Sequence, residues 1–204
     1  MRKYVMEGMG AFFLVLAIGL TGNILAIGLL LAALIYSGVH ISGAHFNPAV
    51  SFAFFIRRSM SFSNFIGYVM SQILGVFAAS GVLIILSGTV FFVEPPASTD
   101  IIQQATVELL LTFVFVSVYL NFQLLENLKG NKIYGLVIGL TFTAAVILGQ
   151  EISGSYVNPA ISIGASLTDL ITINGASYSH IPLFTISPLA GSALAALVFK
   201  YFND

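Results

Sequence analysis

An eleven-residue stretch occurs twice in this chain of 204 residues. Residues 41–51 read ISGAHFNPAVS and residues 152–162 read ISGSYVNPAIS, identical at seven positions that include Ile-Ser-Gly and Asn-Pro-Ala. Each copy lies between long apolar runs. A polar Asn, followed by a Pro suited to the first turn of a helix, therefore falls where a membrane span is expected. One such tripeptide is a weak signal. Two copies with the same preamble, one in each half, read as a duplicated structural unit.

Composition decides the solvent. The chain is 58% apolar and 7% charged, with a mean hydropathy of +1.01. Soluble domains carry about 25% charged residues, so this chain cannot cover a water-facing surface. An all-α, polytopic membrane protein follows, with room for about six spans and short loops. There is no Cys, which excludes disulfides and thiolate metal sites. With no Trp, an interfacial aromatic belt would rest on Tyr and Phe. The start, Arg2-Lys3 before an apolar run, imitates a signal peptide. Cleavage is not expected, because the run holds Glu7, which has a counterpart in the second half.

The apolar pattern predicts spans over residues 4–20, 24–39, 64–86, 105–121, 133–148 and 181–202. After each motif comes a short apolar run, 48–56 and 159–167, of about 13 Å as helix and too short to cross. Loops are expected over 87–103, over the polar ENLKGNK stretch ending at Lys132, and around Asp169 and Asn174-Gly175. Glu7 and Glu108 are 101 positions apart and the motifs 111 apart. The longer loop before the fifth span accounts for the difference. The repeat is span with Glu, span, half-helix, span, in a single domain over 1–204 with repeats 1–102 and 103–204.

All seven basic residues (Arg2, Lys3, Arg57, Arg58, Lys129, Lys132, Lys200) fall on the side of the N-terminus if there are six spans. Glu94, Asp100, Glu151 and Asp169 fall on the other. The positive-inside rule then puts both termini in the cytoplasm of a cell-membrane protein. Three spans per repeat is odd, so the second repeat is inserted upside down. The two half-helices enter from opposite faces and meet near the midplane.

Non-helical backbone at that depth is tolerated only inside protein or beside a water-filled cavity. Residues 40–46 and 151–157 would be such backbone, their carbonyls a ladder of acceptors. Asn47 and Asn158 would cap the half-helices, followed by Pro48-Ala49 and Pro159-Ala160. Both partly positive helix N-termini would face the centre, and the Asn amides would donate to a passing solute. A water oxygen held by two donors turns its hydrogens outward, which breaks a proton wire, and the converging dipoles repel cations.

These residues resemble the aquaporin (major intrinsic protein) family over nearly the whole chain, and HISGAHFNPAV at 40–50 is similar to the prokaryotic water channels. The resemblance implies an aquaporin-like fold of six transmembrane helices plus two re-entrant half-helices in an inverted repeat. It implies that Glu7 and Glu108 hold the re-entrant loops, that the protein is a homotetramer with a pore in each subunit, and that no cofactor or nucleic acid takes part. Small residues four apart, Gly67, Ser71, Gly75 and Ala79, then Gly135 and Gly139, suit close helix packing.

The family's narrow filter departs here. Counting from the two Asn residues, its positions fall on Ile27, Val146, Ser155 and Ile161. The family usually has an aromatic residue, a His or small residue, a loop residue and an Arg there. Three aliphatic side chains and one hydroxyl make a less polar and wider constriction, without the fixed charge that helps exclude cations. Position 162 is Ser, where glycerol facilitators usually have Asp. The expected activity is a passive channel for small neutral solutes, water by default, with glycerol, ammonia and dissolved gases as the alternative cargo.

His40 and His45 flank the first turn and are read as loop-bracing hydrogen-bond formers, with a titrating gate as the second reading. No metal site is expected. His180 is read as solvated in the outer loop, and Gln150 and Glu151 as lying at the outer mouth. Two other classes compete. An intramembrane enzyme would use Ser166 or Ser177, each after Gly-Ala, with His180 as the nearby His. A non-conducting scaffold would have its apolar filter shut.

Overall fold

The computed structural model describes residues 1–128 and 130–203. Lys129, one of the basic residues used to orient the chain, lies outside them. The described residues form eight α-helices and no strand: α1 Arg2–Leu20, α2 Ile24–Ser42, α3 Pro48–Ile56, α4 Phe62–Ser87, α5 Ile101–Leu124, α6 Tyr134–Gly149, α7 Pro159–Ile173 and α8 Ile181–Asn203. Five segments are long and apolar enough to cross a membrane: α1, α2, α4, α5, and α8 with the short turn before it. At 16 residues, α6 gives only about 24 Å of helix. Its spiral continues, because Ser153 N–H bonds to Gly149 C=O at 2.9 Å and Gly154 N–H to Gln150 C=O at 3.1 Å. With that turn it matches α2, which ends at Ser42.

Local chemistry sets the ends. Asn23 caps α2 by accepting from Ala26 N–H at 3.0 Å. Asp100 starts α5 with a capping box, its carboxylate on Gln103 N–H and the Gln103 side chain on Asp100 N–H. That box moves the start of α5 to Ile101, four residues before the position that apolar periodicity marks. The second half-helix is also longer than its apolar run. It continues to Ile173, where Asn174 turns left-handed (φ 52°) and ends it. Asp169, expected in a loop, therefore sits inside α7. It is buried, and it accepts from Ser177 N–H at 3.1 Å.

Packing follows the duplication. α1 lies on α4 as α5 lies on α8, α3 touches α4 and α8, and α7 touches α8 and α4. The closest approaches match. A Cβ on Gly75 would sit 2.2 Å from the Gly8 carbonyl oxygen, and one on Gly191 would sit 2.2 Å from that of Leu109. Where the repeats meet, Gly28 and Gly139 bring α2 and α6 together, a Cβ on Gly139 falling 2.3 Å from the Gly28 carbonyl oxygen. These small residues thus serve packing within one chain. The buried apolar residues fall into two clusters. One holds Ile27, Leu31, Phe46, Phe115, Tyr119 and Phe142, and the other holds Val15, Val76, Ala160, Ile161 and Phe184.

Candidate functional site

Glu7 and Glu108, each fully buried, hold the two re-entrant loops. One oxygen of Glu7 accepts from Ser42 Oγ–H at 2.6 Å and His45 N–H at 3.0 Å, the other from Phe46 N–H at 2.6 Å and Gln72 Nε2–H at 2.8 Å. Glu108 does the same for the second loop. It accepts from Ser153 Oγ–H at 2.8 Å, Tyr156 N–H at 3.0 Å and Val157 N–H at 2.9 Å. A buried carboxylate is tolerable only when its lone pairs are taken up in this way. The conserved geometry inside the repeat extends to the backbone. Gly43, Ala44 and Phe46 have positive φ in the first loop, and Gly154, Ser155 and Val157 in the second. Strain at non-glycine residues persists only where the surroundings over-determine it, and the glutamates supply that constraint.

Each loop delivers an Asn to the N-terminus of its half-helix. Asn47 Oδ1 accepts from Ala49 N–H at 2.8 Å and Asn158 Oδ1 from Ala160 N–H at 3.1 Å. With Pro48 and Pro159 at the first helical positions, both caps use the chemistry expected of Asn-Pro. The amides then cross. Asn47 Nδ2–H donates to Val157 C=O at 2.8 Å, and Asn158 Nδ2–H to Phe46 C=O at 3.1 Å. The two half-helices therefore meet N-terminus to N-terminus, and one hydrogen of each amide is spent on the opposing loop. Sequence reasoning assigned these amides to a solute alone and missed the mutual bond.

The candidate filter residues are closely packed. Ile161 is 0% exposed, Ser155 2% and Ile27 5%, with Val146 half-buried. Ser155 Oγ–H donates to Ala145 C=O at 2.9 Å, so its hydrogen is committed. Ile161 and Ile27 belong to different apolar clusters, and Ile161 shares its own with Val93. Val93 comes from the non-helical stretch before α5. That stretch is tied to the second loop by Thr99 Oγ1–H donating to Ile152 C=O at 2.6 Å.

The histidines separate. His45 is buried, with Nδ1 3.1 Å from Ser51 Oγ on α3. His40 makes no such contact. It lies exposed on the last turn of α2 beside Met1, Arg2 and Met6, because the helix runs on to Ser42 and turns that side chain away from the loop. His180 is half-buried and lines a cavity of about 280 Å³ with Glu94 and Asp169. Gln150 and Glu151 are exposed just before the second loop. Ser166 and Ser177 pair with each other, Oγ to Oγ at 3.2 Å, and neither hydroxyl bonds to a His. Among the described residues no group of three His, Asp or Glu could hold a metal.

Sequence reasoning missed Gln72, Tyr68 and Tyr119. Gln72 is a lone buried amide in an apolar helix, a signal available beforehand. Tyr68 Oη–H donates to Ser42 C=O at 2.7 Å and Tyr119 Oη–H donates to Ala44 C=O. Nothing in their spacing marks either.

The family model for Major intrinsic protein matches residues 2–199. Glycerol uptake facilitator protein-like 6 of Lactiplantibacillus plantarum is 36% identical over all of this chain and 99% of its own length. Aquaporin AqpM of Methanothermobacter marburgensis is 30% identical over 93% of this chain and 82% of its own. Among solved structures, the aquaglyceroporin from Plasmodium falciparum superposes with a TM-score of 0.88 over 98% of this chain and 95% of that one, at 22% identity, and shares the fold. With its two buried glutamates and its paired Asn-Pro-Ala half-helices in an inverted repeat, this chain belongs to the major intrinsic protein family.

Proposed function

We propose that this chain is a passive transmembrane channel for water and small neutral solutes, its path crossing the plane where Asn47 and Asn158 meet. The observation that carries this reading is the reciprocal bonding of the two motifs. It brings two helix N-termini together in the protein interior and leaves one hydrogen on each amide to donate to a passing oxygen. Two fixed donors and two converging dipoles suit a neutral, hydrogen-bonding cargo and repel cations. Relatives named for aquaporin and for glycerol uptake support both cargoes. Ile27, Val146, Ser155 and Ile161 form the filter on the α7 side, where Ser155 keeps lone pairs to accept with. The halves divide near residue 102. Both termini face the cytoplasm of a plasma-membrane protein that assembles as a homotetramer.

Proteoliposomes under an osmotic gradient test this. Shrinkage faster than that of empty vesicles, followed by re-swelling as glycerol enters, is expected. Flux equal to that of empty vesicles for every small neutral solute would overturn the reading and leave the non-conducting alternative. For the filter, Ile161→Arg should lower glycerol flux relative to water. An unchanged ratio would take Ile161 out of the path.

A further inference from the structure

Three of the chain's seven basic residues, Arg57, Arg58 and Lys200, converge at the end of the bundle that carries the termini. With Ile56, Ala196 and Leu197 they line a cavity of about 380 Å³ between the C-terminal ends of α3 and α8. Among the described residues no acidic side chain lines it. The Arg57 guanidinium lies 5.3 Å from the centroid of the Phe199 ring, which orients it. Arg58 and Lys200 are exposed, and neither side chain makes a hydrogen bond or ion pair among the described residues.

Arg58 stands where the backbone favours glycine. α3 closes with Arg58 N–H on Phe55 C=O at 3.0 Å and Ser59 N–H on Phe54 C=O at 2.9 Å. These are the paired bonds of a Schellman turn, whose left-handed residue is usually Gly. Arg58 takes that place at φ 57°. A side chain there costs stability relative to Gly, so the turn itself does not select an arginine. What the arginine adds is a cation facing the same cavity as Lys200. The surroundings set the depth. Tyr201 and Phe202 on α8 and Phe62 on α4 are exposed at this end of the bundle, and exposed aromatic rings mark the headgroup layer. Toward the middle of the bundle, Leu197 and Leu194 lie exposed on successive turns of α8.

We propose that this cavity binds an anionic phospholipid, its phosphate diester between Arg58 and Lys200 and one acyl chain along Leu197 and Leu194. Basic pockets between spanning helices hold such headgroups, and an arginine presents forked donors to phosphate oxygens. A free phosphate would meet the cations but leave the leucines uncovered. A zwitterionic lipid would cover the leucines but bring its own cation to the pocket. Binding of this kind needs no open pore.

Native mass spectrometry of the detergent-solubilised protein, titrated with phosphatidylglycerol or phosphatidylcholine and read at the first lipid bound per chain, tests this. The parent should prefer phosphatidylglycerol about twenty-five-fold, about fivefold for each of two cations. Arg58→Gly should cut that preference about fivefold without lowering the unfolding temperature, because Gly fits the turn. Lys200→Gln should cut it by a similar factor. Lys132→Gln, which removes an exposed cation elsewhere at the same end, should leave it unchanged. Equal affinity of the parent for the two lipids would overturn the site. So would equal losses in Arg58→Gly and Lys132→Gln, the mark of diffuse surface charge. Displacement of phosphatidylglycerol by equimolar inorganic phosphate would overturn the lipid as occupant in favour of a free anion.

Discussion

Gln72 on α4 and Pro188 on α8 hold matching places, three residues before Gly75 and Gly191, which make the same close approach in the two repeats. Gln72 bonds to Glu7 and, at 3.2 Å, to Ser51 Oγ. Pro188 offers no side-chain donor, and Ser162, the counterpart of Ser51, is fully buried with its hydroxyl lacking any partner among the described residues. The α3 half is therefore braced by a polar network, while the α7 half is held by apolar packing of Val93, Ile161, Leu183 and Phe184. A duplicated plan fixes the backbone of both loops. What each half does with a solute depends on the side chains that do not match.

The largest expected effect breaks the shared part. Glu7→Ala strands two buried N–H groups, a hydroxyl and an amide, and should cost at least about 3 kcal/mol. Glu108→Ala strands one donor fewer and should cost about 1 kcal/mol less. Thermal unfolding in detergent, followed by circular dichroism, checks the order. Equal losses would show that Gln72 adds nothing.

Next come the two close approaches. Gly75→Ala and Gly191→Ala each push a methyl group into a backbone carbonyl of the neighbouring helix, costing about 2 kcal/mol apiece. Because the geometry is the same, the same unfolding measurement should find the two alike. A harmless Gly191→Ala would mean that α8, with Pro188 inside it, yields where α4 does not.

The smallest effect sharpens the contrast. Ser51→Ala removes an oxygen that meets His45 and Gln72 and should cost about 1 kcal/mol. Ser162→Ala removes an orphan hydroxyl and should leave stability within about 0.5 kcal/mol of the parent, or raise it. Equivalent losses at both sites, read in the same assay, would remove the distinction between a bonded half and a packed one.

The skeleton was legible because membrane burial writes it in large letters. Charge is costly at depth, so Glu7 and Glu108 mark the supports, and Asn-Pro marks both half-helix starts. Ser42 and Ser153, inside the repeated Ile-Ser-Gly, carried a readable signal for the carboxylate contacts. Helix ends set by capping were less legible. Asp100 starts α5 ahead of its apolar run, and α7 runs on past its own until Asn174 stops it. His40 was misjudged because α2 continues through it to Ser42. Tyr119 and Val93 reach their partners only through the fold, over 75 residues in the Tyr119–Ala44 bond. No local pattern announces such a pairing.

The central claim is that solute passes between the two motifs, beside Ser155. The chain has no cysteine, so mercury has no thiol to attack in the parent. Ser155→Cys would place one beside the second loop. Water flux through Ser155→Cys proteoliposomes should fall to that of empty vesicles on adding mercuric chloride and return with excess thiol, while the parent is unaffected. A conducting Ser155→Cys protein whose cysteine is labelled by mercury without loss of flux would contradict the account.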